Sequence, residues 1–169
     1  GDGNLGYRDK RGGYFSICGG ELKLSNLSRI KTFLEAHSFP TTLKTTKHDN
    51  PNHAPVYYIN CYRLALVDYL VKTYRLDPKV TAKTKRVPST VWSMSRQDKV
   101  DFLQGMFDSD GSRGKSDFGS LHLCNLPLLQ EMQLLQLELG YETYLTSTKQ
   151  GYKLSLNKGY SQGRLYPRE

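Results

Sequence analysis

The 169-residue sequence predicts an α+β fold built from two similar halves. Strand and helix patterns run strand, helix, strand, strand, and the same order returns after a basic linker. Two strings recur in that order: FSIC (15–18) with LHLC (121–124), offset by 106, and LKTTK (43–47) with LTSTK (145–149), offset by 102. A period near a hundred residues excludes short solenoid repeats, which run about 20–50. The expected organisation is a single pseudo-twofold domain over 1–169, with halves 1–92 and 93–169.

Each element has its own signal. Tyr14–Cys18 (YFSIC) lies between glycine clusters and reads as a strand. Ser25 or Asn26 can cap a helix with Leu27, Ile30, Phe33 and Leu34 on its apolar face, ending before Pro40. Thr41–Lys47 is rich in β-branched residues and reads as a strand, His48–Pro55 as a polar loop, and Val56–Asn60 as the next strand. Leu66, Tyr69, Leu70 and Tyr74 keep helical spacing, and Lys79–Pro88 is a basic, extended linker. Beyond it, Ser95 and Asp98 have capping-box spacing ahead of a helix to about Asp108. Gly119–Cys124 is a strand. Asn125 and Pro127 open a helix carrying Leu128, Leu129, Met132, Leu135 and Leu139, which Gly140 closes. Thr143–Lys149 and Tyr152–Asn157 form a hairpin across Gln150-Gly151.

Composition narrows the function. A mean hydropathy of −0.59 and the lack of an 18-residue apolar run exclude a membrane-spanning helix. The polar start Gly1-Asp2-Gly3-Asn4-Leu5-Gly6 carries no signal-peptide pattern. Cys18, Cys61 and Cys124 are too few for a disulfide framework and form no CxxC pair, which leads us to expect reduced thiols inside a cell: cytoplasm, nucleoid or organelle matrix. The net charge of +8 is unevenly spread: +3 over 1–70, +6 over 71–100, −5 over 101–145 and +4 over 146–169. Such asymmetry suits a protein that tracks phosphates on some surfaces and uses acids on another.

Several apparent motifs fail on context. Residues 1–6 fit GxGxxG, yet no strand precedes Gly1 and no helix follows, so a dinucleotide loop is excluded. Asp108-Ser109-Asp110-Gly111 is no EF-hand, since position 119 is Gly where a glutamate is needed. Lys47–His53 (KHDNPNH) lacks a partner histidine for a His/Asn nuclease site and reads as a polar turn. His37 and His122 stand singly and read as structural.

VDFLQGMFDSDGS (100–112) is the specific stretch: an amphipathic helix with Gly105 at its centre, ending in two acids and a glycine. A glycine inside a helix costs about 1 kcal/mol relative to alanine, so a close helix–helix contact is expected there. Acids at a helix C-terminus oppose the macrodipole, an arrangement that a bound cation offsets. The same Asp-x-Asp-Gly would also serve as a polar C-cap and turn.

FLQGMFDSDGS resembles the LAGLIDADG motif of homing endonucleases, in particular the dodecapeptide type found within inteins. The lead-in KRVPSTVWSMSRQDKVDFL is similar to the basic, proline-containing segment that precedes it, and Gly1-Asp2-Gly3-Asn4-Leu5 resembles the tail of a first motif copy. The resemblance implies a monomeric enzyme with two αββαββα halves, motif helices packed centrally, and two antiparallel sheets forming a saddle over DNA. It implies a metal-dependent, site-specific double-strand DNA endonuclease with a long asymmetric target. By the same resemblance the last acid of each motif, Asp2 and Asp110, holds Mg²⁺ (Mn²⁺ substituting), while Asp108 supports the helix end. A catalytic lysine is implied near that site; the duplicated Lys47 and Lys149 are the candidates, with Lys153 the alternative.

DNA contacts are expected from alternating strand residues Thr42, Lys44, Thr46, Tyr144, Thr146, Thr148, Lys153 and Ser155, because the major groove admits a β-ribbon. Loop cations Arg8, Lys10, Arg11, Arg113 and Lys115 would contact phosphates. The first motif helix is expected before Gly1, and a counterpart of the Leu64–Tyr74 helix beyond Glu169, as in a portion of a longer protein or a decayed copy. An intein or intron origin is one expectation, although no splicing blocks are visible. The competing reading is a nucleic-acid-binding module of the same fold that has lost cleavage, acting as a regulator or splicing cofactor.

Overall fold

A computed structural model describes residues 3–8, 12–46, 54–113, 119–156, 160–161 and 164–165, with the backbone alone for 113, 160, 161, 164 and 165. The chain divides into two compact units, Gly1–Lys79 and Val80–Glu169. The division falls before the expected 92/93 boundary because Val87 and Val91 belong to the second unit's core.

The first unit runs β1 (Gly3–Arg8), β2 (Gly12–Gly19), α1 (Leu24–Ala36), β3 (Thr42–Thr46), β4 (Val56–Cys61) and α2 (Leu64–Tyr74). Its four strands form an antiparallel sheet in the order β1-β2-β4-β3. One face is apolar: Ile59 and Cys61 are buried, and Cys61 packs with Phe15 of β2 against Leu34 of α1 and Leu66 of α2. Close packing on α2 explains Gly13, where a Cβ would stand 2.7 Å from Val67 Cγ2.

The second unit repeats the pattern with a helix in front. α3 (Arg96–Asp110), β5 (Gly111–Arg113), β6 (Gly119–Leu123), α4 (Leu126–Glu138), β7 (Thr143–Thr148) and β8 (Gly151–Leu156) follow in order, with strands arranged β5-β6-β8-β7. This is the expected duplicated α+β fold, with antiparallel four-stranded sheets in both halves. Among the described residues the place of a second α2 is taken by a short ladder of β9 (Tyr160–Ser161) and β10 (Arg164–Leu165). Leu103 and Phe107 of α3 and Leu129, Met132 and Leu135 of α4 bury against Leu121, Leu154 and Leu156. At about 1.5–3 kcal/mol for each buried large side chain, this core dominates the unit's stability.

The caps read from sequence hold in the second unit. Ser95 Oγ accepts the Asp98 amide at 3.2 Å and donates to Asp98 Oδ2 at 2.6 Å. Asn125 Oδ1 accepts the Leu128 amide at 3.0 Å, and Gly140 (φ 84°) takes the left-handed step after α4. Three expectations shift. α1 grows directly out of a 3-10 turn at Glu21–Lys23, so Ser25 and Asn26 lie inside the helix and cap nothing. Phe33 is 61% exposed and stacks on His37, whose Nδ1 lies 2.8 Å from the Phe33 carbonyl. The β7–β8 turn is Lys149-Gln150, one residue earlier than expected, because Thr148 pairs with Gly151.

Lys79–Pro88 also differs from the free linker expected. Thr81–Lys85 forms a turn in which the Thr81 amide donates to Thr84 Oγ1 at 2.9 Å and the Lys85 amide to the Thr81 carbonyl at 3.0 Å. The buried Asn125 donates Nδ2 to the carbonyls of Ala82 (3.0 Å) and Lys85 (2.9 Å), and Glu131 Oε2 accepts the Val87 amide at 2.8 Å. The connection is docked on α4.

Candidate nucleic-acid interface and acid site

α3 delivers its two acids differently. Asp108 Oδ1 accepts Gln104 Nε2 at 2.7 Å, one helical turn back, as suits a residue supporting the helix end. Asp110 is the last residue of α3, half-buried, and Gly111 follows as the first residue of β5. The Gly111 amide donates to the Phe107 carbonyl, and a Cβ at Gly111 would stand 2.3 Å from that oxygen. Only glycine lets the chain turn so tightly from helix into strand. Gly105, in contrast, has nothing within 4 Å of a built Cβ, so the helix–helix contact expected of it is not made by the described residues.

The sheet registers define which residues are equivalent. Gly3, Ile17, Ile59 and Leu43 lie abreast across the first sheet. Gly111, Leu121, Leu154 and Leu145 lie abreast across the second. Leu43 therefore matches Leu145, as the offset of 102 requires. Ile17 matches Leu121, so the FSIC/LHLC correspondence is two residues out of register. Gly3 matches Gly111, and by sequence Asp2 precedes the one as Asp110 precedes the other. Asp2 itself lies outside the described residues.

Alternation then separates the faces. Rows flanking the buried one point away from the helices: Asn4, Ser16, Asn60 and Thr42, then Cys18, Tyr58 and Lys44, in the first sheet. Their counterparts are Ser112, Ser120, Ser155 and Tyr144, then His122, Lys153 and Thr146, in the second. Thr46 and Thr148 extend the same faces at the ends of β3 and β7. All eight strand residues singled out from sequence thus lie on the outer faces, whose described residues include no acid. Ser112 and Ser120 hydroxyls meet at 3.0 Å across the second. Arg8 shares the outer face of β1, its guanidinium 5.7 Å from the Tyr14 ring centre and 5.1 Å from that of Tyr62.

The remaining candidates divide. Lys10, Arg11, Lys47 and Lys115 lie outside the described residues, and Arg113 is described only as backbone in β5. Lys149 occupies the β7–β8 turn, four residues along and three strands across from the Gly111 row. With 3.3 Å per residue and 4.8 Å per strand, this is about 20 Å, beyond a lysine's reach to Asp110. Lys153 is about 10 Å from that row by the same measure. Sequence reasoning passed over Asn4, Ser16, Tyr58, Asn60 and Ser120, and it read His122 as structural. The structure exposes His122 on the outer face beside Lys153. The available signal was its alternation with buried Leu121. Among the described residues no three His, Cys, Asp or Glu side chains gather as a ready-made metal cage.

The two acid-tipped sheet openings and two acid-free polar sheet faces define the duplicated LAGLIDADG fold. Residues 98–166 match the LAGLIDADG-like domain family, and the likeness read from FLQGMFDSDGS holds at that level. The structure is similar to that of I-DmoI in complex with DNA and Mn, with a TM-score of 0.62 and 12% identity, covering 92% of this chain and 81% of that one. It is also similar to full-length DUF199/WhiA from Thermatoga maritima, with a TM-score of 0.53 and 13% identity, covering 93% of this chain and 47% of that one. By sequence, 100 residues are 33% identical to the DNA polymerase II large subunit of Thermococcus kodakarensis. That match takes in 58% of this chain and 5% of the relative.

Proposed function

We propose that this protein is a site-specific endonuclease that hydrolyses both strands of duplex DNA with a divalent metal, Mg²⁺ or in its place Mn²⁺. The observation carrying this reading is the shared register of Gly3 and Gly111, which gives Asp2 and Asp110 the same step in two copies of one fold. Each acid directly precedes a sheet whose outer face presents Ser, Thr, Asn, Tyr and Lys, side chains that hydrogen-bond base edges and phosphates. The likeness to DNA-bound I-DmoI agrees with this reading.

The donor set fits a hard cation. Carboxylate oxygens suit Mg²⁺, which takes one or two from protein and fills its shell with water and phosphate oxygens. Such an ion would supply an activated water and neutralise charge on the phosphate. Asp110 contributes a carboxylate held at a fixed helix-to-strand turn, while Gln104 keeps Asp108 on the helix. Lys153, rather than Lys149, is the described lysine near enough to lend positive charge beside the scissile phosphate. With both halves in one chain, a monomer addresses two strands of a long asymmetric site.

The match to one-twentieth of a polymerase subunit suits an element carried within a longer host, such as an intein, or encoded by an intron. The free cysteines suit a reducing intracellular compartment. The test is plasmid linearisation in Mg²⁺, Mn²⁺ and Ca²⁺, using a plasmid pool enriched for binding to the protein. Linear product with Mg²⁺ or Mn²⁺ supports the enzyme. Retention of DNA with no cutting in any metal transfers the lead to a non-cleaving nucleic-acid-binding module, the reading that the likeness to WhiA favours.

A further inference from the structure

The junction between β6 and α4 ties two lysine-bearing turns to one end of the second unit. Cys124 Sγ donates to the Gln150 carbonyl at 3.5 Å, holding the β7–β8 turn that carries Lys149. The next residue, Asn125, is 3% exposed and uses both Nδ2 hydrogens on the Thr81–Lys85 turn, which carries Lys83. Lys83 and Lys149 are solvent-exposed, and neither makes an ion pair among the described residues. A connection that served only to span two units would have no need of a buried asparagine to fix its backbone. The acid of this neighbourhood, Glu131, is already engaged by Arg86 at 3.5 Å and by the Val87 amide.

From this arrangement we infer that the Thr81–Lys85 turn and the Lys149-Gln150 turn form a phosphate clamp for duplex DNA. It lies outside the sheet faces, at the end of the second unit far from Asp110. The inference rests on the DNA-binding reading above and deepens it, assigning Lys83 and Lys149 to backbone contact rather than to chemistry. Pre-fixed turns lose little freedom on binding, so each lysine can neutralise a phosphate at small entropic cost. Set about 20 Å from Asp110, the clamp holds the outer flank of a half-site, about six base pairs from the cut at 3.4 Å per base pair.

The experiment measures binding of a mixed-sequence 40-base-pair duplex across a salt series. Three proteins are compared: the parent, K83Q/K149Q, and K72Q/K79Q, which loses the same charge from exposed lysines outside the clamp. The parent should lose affinity steeply with salt. The clamp variant should show a log–log slope shallower by about 1.8, one counterion-release increment of about 0.9 for each lost phosphate contact. The control should keep the parental slope. Equal slopes in all three, or equal changes in both variants, overturn the clamp while leaving DNA binding intact. A flat parental response overturns both the clamp and the DNA-binding reading. Where cleavage is measurable, K83Q/K149Q should cut at the parental position and, at saturating protein, at the parental rate; loss of saturated rate would return Lys149 to the chemistry.

Discussion

Lys99 Nζ lies 2.5 Å from Glu138 Oε1, joining the first turn of α3 to the last turn of α4. The lysine side chain is 8% exposed and the glutamate 48%, so the pair is half in water and its two members are unequal. Arg96 Nη2 adds a bond to the Leu139 carbonyl at 2.7 Å, so α3 also closes the C-terminus of α4. These contacts orient the helix that ends in Asp110.

Removing the two partners should therefore have unequal effects. Glu138→Gln leaves a buried ammonium beside a neutral amide and should lower stability by about 1–2 kcal/mol. Lys99→Met removes the buried charge, keeps the stem's packing and should be nearly neutral. Urea denaturation of both variants checks this; equal losses would mean that the ion pair is not what the site depends on.

Gly105 and Gly111 should respond to alanine with opposite signs. Open space around Gly105 means that Gly105→Ala gains helix propensity alone, raising stability by up to about 1 kcal/mol. Gly111→Ala drives a methyl into the Phe107 carbonyl and should lower stability by about 1–3 kcal/mol. Thermal melting of the 169-residue chain separates the two. A destabilised Gly105→Ala would show that another surface covers that face.

Much of this was legible because it is local. Ser95 with Asp98 and Asn125 with Pro127 mark helix starts through bonds made within four residues, and the strands betray themselves by period two. β1 was illegible: Gly3, Gly6 and Arg8 carry no strand signal, and the segment is a strand because β2 offers it a pairing edge. The FSIC/LHLC correspondence misled by two residues because similarity of letters rewards like residues, whereas register is set by which residue faces the core. An even slip keeps inside in and outside out, which is why the outer-face residues were still found. His122 and the docked Thr81–Lys85 turn were missed because partners forty or thirty residues away define them.

Acid should weaken the α1 ion pair in a defined direction. The Lys31 ammonium, hydrogen-bonded to Glu35, is the main cause holding that carboxyl below its ordinary value of 4.5, with Thr41 assisting. A carboxyl depressed in the folded state contributes stability above its unfolded value and loses it as pH falls through the folded one. The melting-temperature advantage of the parent over Glu35→Gln should be present at pH 7 and gone once pH drops well below 4.5. An advantage unchanged at low pH would assign it to packing.

The three thiols should label in an order set by burial. Cys124 is exposed, Cys18 half-buried and Cys61 buried, and burial pushes the Cys61 thiol up, reducing its thiolate fraction. With a chromogenic disulfide at pH 8, Cys124 should react first. Cys61 should wait for opening of the fold, slower by about three orders of magnitude for a unit stable by 5 kcal/mol. Comparable rates would show that α1 and α2 do not seal the inner face of the first sheet.

Asp110 offers the sharpest test, because its neighbour Asp108 supplies a matched control. Asn in place of Asp at 110 is nearly isosteric, so α3 should still end at the same turn and melting should hardly change. The negative donor for a divalent ion is lost, and cleavage should fall by several orders of magnitude in any form of the protein that linearises its target. DNA binding should persist or tighten, since a carboxylate no longer faces phosphate. Asp108→Asn removes an equal charge two residues away, yet its amide oxygen can still accept Gln104 Nε2, so cleavage should stay within about tenfold of the parent. Asp2→Asn should behave as Asp110→Asn does, because Gly3 and Gly111 share a register. Parental cleavage by Asp110→Asn at saturating Mg²⁺, or equal losses from both α3 acids, would overturn the division of labour between them.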